Sequence, residues 1–114
     1  FVKSAFELLD RKTYPIRFIA HDIGLLEELN LGKFDLIIAL CVVYHELDRM
    51  PALVRKLARM TNHLVLQANN VHGGELGHYS NMGYHVALLK EVGFKYVEVD
   101  APAGYLLPVV VGRT

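Results

Sequence analysis

The longest apolar run of the chain, LIIALCVVY at Leu36–Tyr44, follows Asp35 and ends on His45-Glu46. A continuous apolar run with β-branched residues, bounded by polar ones, reads as a strand buried on both faces, as in a parallel sheet covered by helices. It predicts a central strand over Phe34–Val43. The rest of the pattern falls around it. Phe1, Ala5 and Leu8, with Val2, Phe6 and Leu9, repeat at helical spacing and predict a helix over Phe1–Asp10. Ile16–Ile23, IRFIAHDI, alternates imperfectly and predicts a short strand broken by Gly24. Leu25–Asn30 predicts a short helix or turn stopped at Gly32.

Beyond the central strand, Met50, Leu53, Val54, Leu57 and Met60 form the clearest apolar stripe of the chain. Asp48 is its expected N-cap, because a carboxylate accepts from free backbone N–H groups. Pro51 falls in the first turn, where its missing donor costs little. Asn62–Ala68 predicts a strand. Asn69–Ser80, polar and glycine-rich, predicts a long loop at that strand's carboxyl end, where substrate-binding segments tend to lie. Met82, Val86 and Leu89 define a further helix with Gly93 as its cap. Lys95–Val99 and Tyr105–Val111, joined by a turn at Ala101–Gly104, predict an antiparallel pair. The alternation of helix and strand gives an α/β fold: a Rossmann-like, mainly parallel sheet of about five strands in one domain.

Composition narrows the class. Over 114 residues the apolar fraction is 53% and the charged fraction 21%, a globular balance. Lys and Arg number 12, Asp and Glu 12, so no whole-chain field favours nucleic acid or an anionic membrane. Arg49, Arg55, Lys56 and Arg59 cluster on one segment, which the solvated face of a helix explains. Cys41 is the one cysteine, so no intrachain disulfide forms, and a thiol inside an apolar strand is expected to be inert. No apolar run reaches the ~18 residues of a membrane span. The chain opens on Phe1 directly in the helical pattern, which suggests an N-terminally truncated domain.

The stretch FDLIIALCVVYHELDRMPALVRKLARMTNHLVLQ resembles the second half of class I S-adenosylmethionine-dependent methyltransferases. There an acid opens the fourth strand, a Tyr-His or Leu-His loop follows it, and a helix leads to the fifth strand. YHVALLKEVGFKYVEV resembles the last helix running into the sixth strand, and YLLPVVVGR the antiparallel seventh. The VVYH form is also similar to a subgroup related to methyltransferases that modify the wobble uridine of tRNA. The resemblance covers the chain from about Ile16 onward. It lacks the family's glycine-rich turn after the first strand and the acid ending the second. Gly73, Gly74 and Gly77 follow a late strand and read as a flexible loop. In the family the first two strands separate the third from the fourth. Without them Ile16–Ile23 either pairs directly with Phe34–Val43 or leaves an open edge, which invites a second chain. A compact sheet or a homodimer through that edge is expected.

The resemblance implies S-adenosyl-L-methionine as cofactor, a small-molecule or RNA methyl acceptor, and a cytoplasmic location. Asp22 matches the position whose carboxylate contacts the adenine amino group, with Ile23 supplying a neighbouring N–H; as a bare sequence feature, Asp22 also suits a turn or cap. Ala39, Leu40 and Cys41 match the segment bordering the methionine end. Tyr44 and His45 match the loop beside the reactive methyl. Methyl transfer needs an oriented nucleophile and sometimes a base, and an imidazole titrates near neutrality, so His45 is the candidate base. It can equally order the loop by hydrogen bonding to Glu46 or Asp48, and Tyr44 can wall the site or pack. His72, His78 and Tyr79 are candidate substrate contacts. Six histidines raise the question of a metal, but none stands in HExxH or a comparable spacing. No G-x-S-x-G elbow marks a nucleophilic hydrolase. The other reading is a degenerate Rossmann-like module for binding or dimerisation.

Overall fold

The apolar stripe of the clearest predicted helix decides the architecture. The computed structural model describes residues 16–40, 42–70, 77–101 and 106–114, and of Tyr44 and Leu47 the backbone alone. The helix expected over Phe1–Asp10 lies outside the described residues. Helix α1, Met50–Met60, buries Met50, Leu53, Val54 and Leu57, spaced three and four apart on one face. Pro51 sits in its first turn, as expected. The helix ends where Thr61 turns extended (φ −157°, ψ 157°), and the Thr61 hydroxyl accepts from His63 N–H at 3.1 Å.

This face lies on a four-stranded mixed sheet of order β1-β2-β4-β3: β1 Ile37–Ala39, β2 His63–Gln67, β3 Tyr96–Asp100 and β4 Val109–Arg113. Only β1 and β2 run parallel; β4 pairs antiparallel with both β2 and β3. The register puts Ala39, Leu64, Leu66 and Val110 on one face, in a single core with Leu53, Val54 and Leu57 of α1 and with Leu88 and Leu89 of the second helix, α2, Met82–Glu91. Each buried Leu or Val of this set contributes ~1.5–3 kcal/mol. Both α-helices thus pack on the same face. The opposite face carries Ile38, Val65, Val111 and Glu98 in register, and Ile38 is 59% exposed.

Several sequence expectations change here. The sheet has four described strands, not five, and is mixed rather than mainly parallel. Residues 16–22 join no ladder, and Ile23 opens a 3-10 segment, η1 (Ile23–Leu29), where a short helix was expected only from Leu25. An extended segment becomes a strand only when a neighbour takes its N–H and C=O groups, and none is described beside it. The expected central strand Phe34–Val43 shortens to β1, with one isolated bridge from Phe34 to Thr61. It is an edge strand of the described sheet, buried on one face rather than two. Asp48 does not cap α1: it lies inside a second 3-10 segment, η2 (Val43–Arg49), which runs straight into the helix behind Arg49. The last strand begins at Val109 rather than Tyr105, and part of the expected loop is a third 3-10 turn, η3 (Gly77–Ser80). No described helix is long and apolar enough to cross a membrane.

Of the described glycines, Gly112 has the least room for a side chain. A Cβ there would lie 2.9 Å from Cγ of Phe94 and 3.3 Å from Cδ1 of Leu89. Phe94 is itself buried, so its ring has little room to yield. Gly112→Ala is expected to destabilise the fold by ~1–3 kcal/mol through overpacking, read as a lower urea midpoint. An unchanged midpoint would show that the ring moves aside freely.

Candidate functional site

The carboxyl ends of the parallel strands β1 and β2 fix where chemistry is expected. From β1 the chain passes Leu40 and enters η2; from β2 it passes Ala68, Asn69 and Asn70 and returns through η3. Segments η2 and η3 pack against each other, so the turn bearing Tyr44, His45 and Glu46 lies beside the one bearing His78 and Tyr79. Three hydrogen bonds tie the second turn down. Asn69 N–H donates to Ser80 O at 2.8 Å, Asn81 N–H to His78 O at 3.2 Å, and Met82 N–H to the Asn70 side-chain oxygen at 2.9 Å. The loop after β2 is held to the start of β4 by Ala68 N–H to Pro108 O, 2.9 Å, and Asn70 N–H to Leu106 O, 2.9 Å.

Asp22 stands at the end of the segment before η1. Its Oδ1 accepts from Gly24 N–H at 2.8 Å and caps η1, so the turn role foreseen for it is real. The same carboxylate lines a surface cleft of about 240 Å³ with Gly24, Leu25, Glu46, Arg49 and Lys56. Glu46, whose side chain is 15% exposed, pairs there with Arg49 at 3.0 Å. Lys56 closes the cleft floor, donating to Gly24 O and to Glu27 Oε2, both at 2.9 Å. That bond holds the Glu27 carboxyl below its ordinary value. His21 Nε2 reaches Leu25 O at 3.0 Å and Glu28 at 3.4 Å.

The other expected residues scatter. Ile23 packs on the core edge. Ala39 is buried toward the helices, while Leu40 is 47% exposed just beyond β1. His45 is exposed on η2, its N–H donating to Val42 O at 3.1 Å. Cys41 and His72 lie outside the described residues, as does the Tyr44 side chain. His78 and Tyr79 meet ring to ring at 3.9 Å, and Tyr84 stands edge-on to both at 5.7 and 5.2 Å. Burial, and then the proximity of Tyr79, pushes the Tyr84 hydroxyl above its ordinary range. The basic cluster is largely neutralised: Arg49 pairs with Glu46, Arg55 with Glu91 at 3.2 Å, and Lys56 with Glu27.

Sequence reasoning missed Asn81 and His85. Asn81 caps α2, its side chain accepting from Gly83 N–H at 2.7 Å. An Asn directly before an apolar-periodic segment was the available signal. His85 is fully buried beside Leu88 and Leu89, on a helix whose apolar stripe was read as Met82, Val86 and Leu89. Its Nδ1 lies 2.9 Å from Asn81 O, and its Nε2 has no partner among the described residues. A carbonyl only accepts, so Nδ1 carries the proton and Nε2 a bare lone pair. An unmet buried acceptor costs ~1–3 kcal/mol.

No protein-family model matches the sequence, and no curated protein does either. Solved structures do. The N-terminal domain of EvdMO1, crystallised in the presence of S-adenosylhomocysteine (SAH) and D-fucose, aligns with a TM-score of 0.70 at 18% identity, covering 98% of this chain and 60% of that one. Magnesium protoporphyrin IX methyltransferase from Synechocystis PCC 6803, with bound S-adenosylmethionine, aligns at 0.60 and 20%, covering 85% and 45%. WbdD aligns at 0.67 and 17%, covering 97% and 27%. The chain therefore has a class I S-adenosylmethionine-dependent methyltransferase-like fold. It spans about 60% of the EvdMO1 domain and less of the others.

Burial lowers the basicity of His85, outweighing the bond to Asn81. The unfolded imidazole binds its proton near 6.5 and the folded one less readily. Between the two values the unfolded state holds more protons, so stability is full above 6.5 and falls as pH drops toward the folded value. Urea unfolding at about pH 7.5 and about pH 5.5 should show a larger loss for the natural chain than for His85→Leu. Equal losses would mean that the folded ring takes up its proton as readily as the unfolded one.

Proposed function

We propose that this chain is a methyltransferase domain, or the carboxyl-terminal part of one, that transfers a methyl group from S-adenosylmethionine to a small-molecule acceptor. The observation that carries this reading is the alignment of 98% of the chain with a domain crystallised with SAH. The described residues suit the adenine end of that cofactor. Asp22 presents an exposed carboxylate at a cleft, and an acceptor-only group matches a donor-only amino group. No glycine-rich turn opening a helix from a first strand stands among the described residues, so that part of the family's cofactor site has no counterpart here. When bound, the cofactor supplies an electrophilic methyl on a sulfonium. The chain's own contribution is positioning. Leu40 borders the methionine end, and His45 holds the acceptor's proton or orders its loop. Tyr44, His78 and Tyr79 orient the acceptor between η2 and η3. A small acceptor fits better than RNA, because three of the four clustered cations are already paired with carboxylates.

One observation favours a second reading, a dimerisation module. Among the described residues β1 is an edge strand and is apolar on both sides: Ile38 and Leu40 stand exposed, and Phe34, Leu36 and Ile37 line an apolar groove of about 290 Å³ with Leu57 and Met60. Soluble edges are ordinarily blunted by charge, bulges or cover.

Calorimetric titration with SAH separates the readings. Saturable binding is expected, weakened at least ~10-fold (about 1.4 kcal/mol) in Asp22→Ala. No binding by a folded chain would reject the stand-alone methyltransferase. For the second reading, sedimentation should show a concentration-dependent dimer that Ile38→Lys abolishes. A natural chain that stays monomeric at every concentration would remove it.

A further inference from the structure

His85 is a polar residue where an apolar one would pack without leaving an atom unmet. Its neighbours on the buried face of α2 are Leu88 and Leu89, and its Nε2 finds no partner among the described residues. What the imidazole adds over a leucine is one hydrogen bond. Asn81 O receives the helical N–H of His85 at 3.1 Å and, on its second lone pair, Nδ1–H at 2.9 Å.

Asn81 is the corner between η3 and α2, and its backbone N–H, its carbonyl and its side-chain oxygen are all engaged. Its N–H donates to His78 O, its side-chain oxygen accepts from Gly83 N–H, and its carbonyl takes both groups of His85. The corner in turn carries the turn on which His78 and Tyr79 stand, opposite η2 and His45. We infer that His85 is a positioning residue: held as its Nδ1–H tautomer by Asn81 O, it clamps the η3–α2 corner and so fixes how His78 and Tyr79 are presented to the acceptor side of the site. The assignment of that side rests on the methyltransferase reading; the clamp itself does not.

Nuclear magnetic resonance on the full chain tests it. The His85 ring-nitrogen shifts are expected to report Nδ1–H with a bare Nε2 in the natural protein. In His85→Leu, which keeps the volume and loses the donor, amides of β2 and β4 should stay protected from exchange. Those of Asn81, Met82 and Gly83 should lose protection at least ~10-fold, and the ring-current shifts between His78 and Tyr79 should collapse. His85→Gln, which returns an N–H donor, should restore both in part. A side chain that only filled space would be replaced by Leu without such a pattern. An Nε2–H tautomer in the natural protein, or unchanged corner protection in His85→Leu, would overturn the inference. The tautomer is read on the natural chain, so the test stands even if a variant fails to fold. Both readouts are taken without SAH, so failure of the clamp and failure of cofactor binding are separate results.

Discussion

Burial of one helical stripe against one parallel strand pair is the constraint on which the molecule depends. Met50, Leu53, Val54 and Leu57 meet Ala39, Leu64 and Leu66 across the crossover from β1 to β2. Because the two strands are parallel, their carboxyl ends come to the same side of the sheet. That places η2 and the Asn69-Asn70 segment side by side and lets η3 lie against η2. Loss of this contact would free β1, which among the described strands pairs with β2 alone. The antiparallel half, β2-β4-β3 with α2, is the better-paired part, and it anchors the side of the site that carries His78 and Tyr79.

Elements set by local pattern were legible in the sequence. The α1 stripe at three- and four-residue spacing, Pro51 in the first turn, and the strand around His63–Gln67 follow from residues close in the chain. Gly93, just past α2, has the positive φ of 110° that a glycine supplies at a helix end. What failed depends on neighbours. Apolar composition alone cannot tell a central strand from an edge strand, so LIIALCVVY was read as buried on both sides when the described helices cover only one. Ile16–Ile23 has strand-like residues and no ladder. The cap expected at Asp48 failed for a different reason: η2 runs directly into α1, so Asp48 lies inside a helical turn rather than at the entry to one.

The site divides the same way. Asp22 and Glu46 were marked by their place after apolar runs, and the fold brings both to one cleft. The resemblance to the methyltransferases supplied the meaning of these positions; the chain's own chemistry supplied only their availability. His85 was hidden because a histidine within a helix is read by default as a surface residue. Its role depends on a carbonyl four residues earlier and on burial, neither of which periodicity reveals.

Gly112 bears on more than packing. A strand shifted by one residue along β2 and β3 would set Val111 or Arg113 beneath the Phe94 ring in place of a bare Cα. Neither fits where even a methyl lies at 2.9 Å. The missing side chain therefore works as a notch into which the ring drops only when β4 is correctly aligned. In a short strand of valines with little else to distinguish one alignment from the next, that notch protects the sheet against mispairing during folding.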